Sequence, residues 1–85
     1  MEYIRILFAC DRKETYFTFL EESETAQMNL QTFFISSASE AEKIVPSEID
    51  LVISTYRLEG GTILDMVPYV SGIPIILIAE YGEID

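Results

Sequence analysis

Ile49-Asp50-Leu51-Val52-Ile53-Ser54-Thr55, followed at once by Tyr56-Arg57-Leu58-Glu59-Gly60-Gly61, is the stretch on which the fold turns. Its centre is a short β-branched run without polar alternation, the pattern of a strand covered on both faces. The paired glycines permit backbone angles that other residues avoid. Thr62 is a favoured helix-capping type, and Asp65 is placed to complement a helix N-terminus. Strand, loop and helix start in this order make one βα unit. Pro68 interferes with the backbone bond to Leu64, so the helix is expected to be short or kinked, and Gly72 is its natural stop.

Working outward, three more apolar runs match the first. Tyr3-Ile4-Arg5-Ile6-Leu7-Phe8-Ala9 reads as a strand cut off by Asp11-Arg12-Lys13-Glu14, Leu30–Ile35 as a second strand, and Ile73–Ala79 as the last. Between the first two, Tyr16, Phe17, Phe19 and Leu20 recur at helical spacing among Glu21, Glu22 and Glu24, which predicts a helix from about Lys13 to Glu24. Ser39 with Glu42 offers a capping box for a helix running through Ile44 and Val45, ended by Pro46. Strands joined through helices must run parallel, and right-handed crossovers then give a doubly wound α/β sheet of order 2-1-3-4. Function in such a sheet gathers at the carboxyl ends of the first and third strands, here Cys10-Asp11 and Ser54-Thr55-Tyr56.

Eighty-five residues, 49% of them apolar, make one domain, residues 1–85, with neither linker nor repeat. A net charge of −10, with five scattered cations (Arg5, Arg12, Lys13, Lys43, Arg57), argues against nucleic acid as a direct partner. Cys10 is the sole cysteine and there is no histidine, which rules out an internal disulfide and a structural zinc site. The longest apolar run falls far short of the roughly 20 residues that span a bilayer, and the N-terminus lacks the basic start of a secretory signal. The expected compartment is the cytoplasm, with no membrane partner and no cofactor.

Four segments together resemble the receiver domain of two-component response regulators: Arg5–Asp11 its first strand with the acidic residues after it, Ile49–Thr55 its third strand, Leu58-Glu59-Gly60-Gly61 its Leu-Pro-Gly loop, and Ile73–Ala79 its fourth strand. The resemblance implies the CheY-like (flavodoxin-like) fold and a non-enzymatic signalling role. It also places the family's phosphoacceptor on Thr55, its acidic Mg²⁺-holding pair on Cys10 and Asp11, and its switch hydroxyl on Ala79. Only Asp11 keeps the family's residue type. A threonine hydroxyl cannot form the acyl phosphate, a carboxylate beside a soft thiol is a poor Mg²⁺ site, and alanine has no hydroxyl. The expectation is a degenerate pseudo-receiver with no metal, acting through protein contact and not through its own phosphorylation.

The family fold continues with a fourth helix, a fifth strand and a fifth helix that this sequence does not reach, so a second expectation is a C-terminally short receiver or a fragment of a longer regulator. The last strand then forms a bare apolar edge, of a kind soluble proteins cover. Ile75, Ile76, Leu77, Ile78 and Tyr81 are the candidate contact residues, and the expected partners are a second copy of the chain, a signalling protein, or both.

The remaining candidates each have a plainer reading. Cys10 at a first-strand end also resembles thiol phosphoryl carriers and small phosphatases, but the phosphatase arginine six residues on is Tyr16 here, and Asp11-Arg12-Lys13-Glu14 is no phosphate-cradling loop. A small buried thiol is the alternative. Asp11 is either a remnant metal ligand or the cap of the first helix, and Thr55 either a kinase target or a plain strand-end residue. Arg57 either pairs with Asp11 or Glu59, contacts a partner, or is solvated, while Glu21-Glu22-Ser23-Glu24 is a solvated helix face or docking charge. Consecutive aromatics in one helix cannot all face inward, so one of Tyr16, Phe17 and Phe19 should be exposed.

Overall fold

The computed structural model describes residues 3–78. Among these residues are six strands: β1 (Ile4–Ala9), β2 (Leu30–Ile35), β3 (Leu51–Thr55), β4 (Arg57–Leu58), β5 (Gly61–Thr62) and β6 (Ile75–Ile78). The helical elements are α1 (Lys13–Thr25), a 3-10 turn at Ala38–Lys43, a second at Pro46–Glu48, α2 (Ile63–Met66) and a third 3-10 turn at Val67–Val70. The main sheet has the order β2-β1-β3-β6 with every pair parallel, which is the order expected with β6 as the fourth long strand.

Alternate residues of these strands feed two cores. Leu7, Ala9, Ile35 and Val52 point to one face, where Ala38, Ala41, Leu58, Ile63, Met66 and Val70 cover them. Ile6, Phe8, Cys10 and Ile53 point to the other, covered by Tyr16 and Phe19 of α1. The Phe8 ring lies 5.4 Å from Tyr16 and 5.0 Å from Phe19, and Tyr16 stacks on Phe34 at 4.7 Å. Phe17 is the aromatic left outside, 53% exposed, because its neighbours take the inward positions.

Three local expectations are corrected. The first concerns Asp11, which does not cap α1: Arg12 holds the N-cap position without a side-chain bond, and Asp11 is exposed one residue earlier. The strand pairing continues through Cys10, whose amide donates to the Ile35 carbonyl, so the helix begins one residue later than an Asp11 cap requires. The second concerns the capping box, which falls on Ser37 and Glu40 and not on Ser39 and Glu42. Glu40 Oε2 accepts from the Ser36 and Ser37 amides at 2.8 and 3.2 Å, while Glu42 is spent on the Tyr69 hydroxyl. The third is that the helix after this box is 3-10 and ends at Lys43; Ile44 and Val45 are extended, as the residue before Pro46 is constrained to be. Thr62 and Asp65 do cap α2, which gives way to a 3-10 turn at Pro68 as the missing amide requires.

Candidate functional site

The register Ala9↔Ser54 sets Cys10 beside Thr55 at the carboxyl ends of β1 and β3. Both are fully buried, as is Ser54. The two strands close with the same device: Cys10 Sγ donates to the Arg12 carbonyl and Thr55 Oγ1 donates to the Arg57 carbonyl, each at 2.9 Å. Ser54 Oγ donates to the Thr55 carbonyl at 2.7 Å. A buried hydroxyl must find such a partner, and here each finds it in the backbone of its own turn.

A strap crosses above them. After β3 the chain makes a two-stranded antiparallel ribbon, β4 on β5, with Arg57 opposite Thr62 and Leu58 opposite Gly61. Gly60, at φ 75°, supplies the left-handed residue of its turn. Gly61 is needed for another reason, since a Cβ there would run into the Asp65 carboxylate that caps α2. Glu59 then pairs with the segment after β2: its amide donates to the Ser36 carbonyl at 2.9 Å, and its Oε2 accepts from Ser36 Oγ at 3.2 Å. The ends of β2 and β3 are thus joined across the end of β1.

Around the strap the rim carries Asp11, Arg12, Lys13 and Tyr56, with Arg57 of the strap itself, all exposed. Arg57 makes no ion pair among the described residues, neither with Asp11 nor with Glu59. Among those residues no group of three carboxylates or cysteines gathers closely enough to hold a metal ion. Thr55 ends β3, Cys10 and Asp11 follow the end of β1 beside it, and Asp11 alone of the three faces solvent. Ala79, the expected switch position, and Tyr81 lie outside the described residues.

The proposed contact strand is at the sheet margin, where β6 pairs with β3 alone among the described residues. Ile75 and Ile78 are half-buried against the two cores, while Ile76 and Leu77 are 50% and 54% exposed on opposite faces. At the amino end of the sheet, Asp50 accepts from the Arg5 amide at 2.9 Å and from the guanidinium through Nε at 3.1 Å and Nη2 at 3.0 Å. Those bonds hold the Asp50 carboxyl below its ordinary value. Two amide bonds, from Ser36 first and then Ser37, do the same for Glu40, and the bond to Glu42 raises the Tyr69 phenol.

Sequence reading missed the strap and the Arg5–Asp50 pair. A charge of each sign near the start of two neighbouring strands was a usable signal for the pair, whereas nothing in the sequence points from Ser36 to Glu59. No helix among the described residues is long and apolar enough to cross a membrane.

No protein-family model matches the chain, and no curated protein matches it. Solved structures do. The non-phosphorylated receiver domain of HemR from Leptospira biflexa superposes with a TM-score of 0.73 at 25% identity, over 92% of this chain and 65% of that one. An aspartate-to-alanine variant of the MaeR response regulator bound to sulfate gives a TM-score of 0.76 at 22% identity, over 98% of this chain and 72% of that one. The chain thus spans about two-thirds of the HemR domain's length, and its four-stranded parallel sheet flanked by helices has the α/β fold of response regulator receiver domains.

Proposed function

We propose that this chain is a pseudo-receiver that serves signal transduction by binding other proteins, without phosphorylation of its own. The observation that carries the reading is Thr55: the residue at the acceptor position is fully buried, lacks a carboxylate, and has its hydroxyl committed to the Arg57 carbonyl. Likeness to two response regulator structures supports the signalling context. The contact surface in this reading is β6, whose outer backbone groups and the exposed Ile76 and Leu77 offer an apolar edge for a second copy of the chain or a signalling protein.

The test adds acetyl phosphate, or beryllofluoride with Mg²⁺, to the labelled chain and follows its amide spectrum. No specific change is expected. Shifts confined to Asp11 and Thr55, or a mass gain of one phosphoryl group, would refute the proposal. Native mass spectrometry at micromolar concentration checks the edge, with a species of twice 9.7 kDa expected and Leu77→Lys returning it to a monomer. A thiol enzyme is the weaker reading, because Cys10 is fully buried and its Sγ is bonded to the Arg12 carbonyl; slow alkylation by iodoacetamide in the folded chain is the expected result.

A further inference from the structure

On the first face of the sheet a cleft of about 220 Å³ opens between the Ala38–Lys43 turn, the strap and the Val67–Val70 turn. Ala38, Ser39, Glu59, Gly60, Asp65 and Tyr69 line it. We propose that this cleft receives one arginine side chain of a partner protein, held by the Glu59 and Asp65 carboxylates against the Tyr69 ring. The inference rests on the docking reading above and adds to it a second surface with a defined chemistry.

Size comes first. Pockets that enclose whole small ligands run from about 300 to 1,000 Å³, so 220 Å³ suits a single side chain. Charge comes next. The lining contains two carboxylates and neither lysine nor arginine, on a chain of net charge −10. Both carboxylates are already held in place through one oxygen only. Glu59 Oε2 accepts from Ser36 Oγ and Asp65 Oδ2 from the Thr62 amide, while Glu59 Oε1 and Asp65 Oδ1 take no hydrogen bond among the described residues. An incoming cation therefore meets oriented acceptors and orders little on binding. Tyr69 is tethered as well: its hydroxyl donates to Glu42 Oε1 at 3.0 Å, and the residue stays 38% exposed.

Arginine fits this set better than lysine. Its planar fork can bond two acceptors at once, its weak hydration lowers the cost of leaving water, and it stacks on an aromatic face. The strap gives the cleft its place in the fold, because Glu59 is fixed by the same contact to Ser36 that closes the rim.

The experiment titrates the full chain with N-acetylarginine methylamide, its lysine counterpart and the uncharged citrulline isostere, following backbone amide signals. Expected are saturating shifts at Ser39, Glu59, Gly60, Asp65 and Tyr69 with arginine, weaker ones with lysine and none with citrulline. Glu59→Gln should weaken binding about tenfold and Tyr69→Leu about threefold. Equal response to lysine and arginine, shifts spread over Glu21, Glu22 and Glu24, or wild-type binding by both variants would overturn the proposal. Failure here leaves the acetyl phosphate and dimer results untouched, so the two readings fall separately.

Discussion

At the amino end of the sheet, Arg5 and Asp50 meet in the open through three hydrogen bonds, and charge joins β1 to the start of β3. At the carboxyl end the same two strands finish in a buried thiol and a buried hydroxyl, and the charged residues of the rim stand apart from one another in solvent. In a doubly wound sheet the carboxyl end is where ligand chemistry usually lies. Here that end is closed by neutral groups bonded to their own backbone, and ionic contact serves the opposite end as a structural tie. A rim built in this way is suited to holding its loops still.

The largest effect should come from placing a charge in this neutral, buried end. Thr55→Asp buries a carboxylate with no cation beside it, and is expected to lower unfolding stability by more than about 3 kcal/mol, read from urea denaturation. A variant as stable as the parent would show that the carboxyl end tolerates ionic chemistry after all. Two backbone changes should have smaller and opposite effects. Gly60→Ala forces a side chain into the left-handed region at the strap and should cost about 1 kcal/mol. Gln27, at φ 57° after α1, already carries that strain, so Gln27→Gly should gain about 0.5 kcal/mol.

The smallest effect is the response to acid. Asp50 and Glu40 both hold their protons less tightly in the folded chain than in the unfolded one. Their contribution is therefore complete above the ordinary carboxylate range, near pH 4, and is lost as the pH falls through their lower folded values. The expected outcome is a urea midpoint that is flat from pH 7 to about 5 and declines below 4, with the Asp50 part of the decline missing in Asp50→Asn. A midpoint that rises on acidification would contradict the tie at the amino end.

Much of this architecture could be read from residue order. The apolar runs are strands because nothing else buries Val52-Ile53 or Ile6 to Ala9 on both faces, and right-handed crossovers with helices on both faces then point to the sheet order. Thr62, Asp65 and Pro68 act through local bonds, and their effect was legible too. The Asp11 cap and the Ser39 box were misplaced because each choice was decided by a distant partner, Ile35 in the first case and Tyr69 in the second. For the same reason the carboxyl rim was legible only in part: residue types give a cysteine and a threonine at the two strand ends, while the burial of Cys10 and Thr55 depends on how the turns after β1 and β3 close.

The all-parallel pairing of the main sheet also bears on how the chain reaches this state. Register joins Ile4 to Leu30, Ile6 to Leu51 and Val52 to Ile75, so each rung must wait for a long loop to close. Only the β4–β5 ribbon zips between close neighbours among the described strands. Such topologies fold on the order of milliseconds or slower even in short chains, and here the loop that must close first in sequence carries α1, whose rings pack on Phe8 and Phe34 only once β1 and β2 lie side by side.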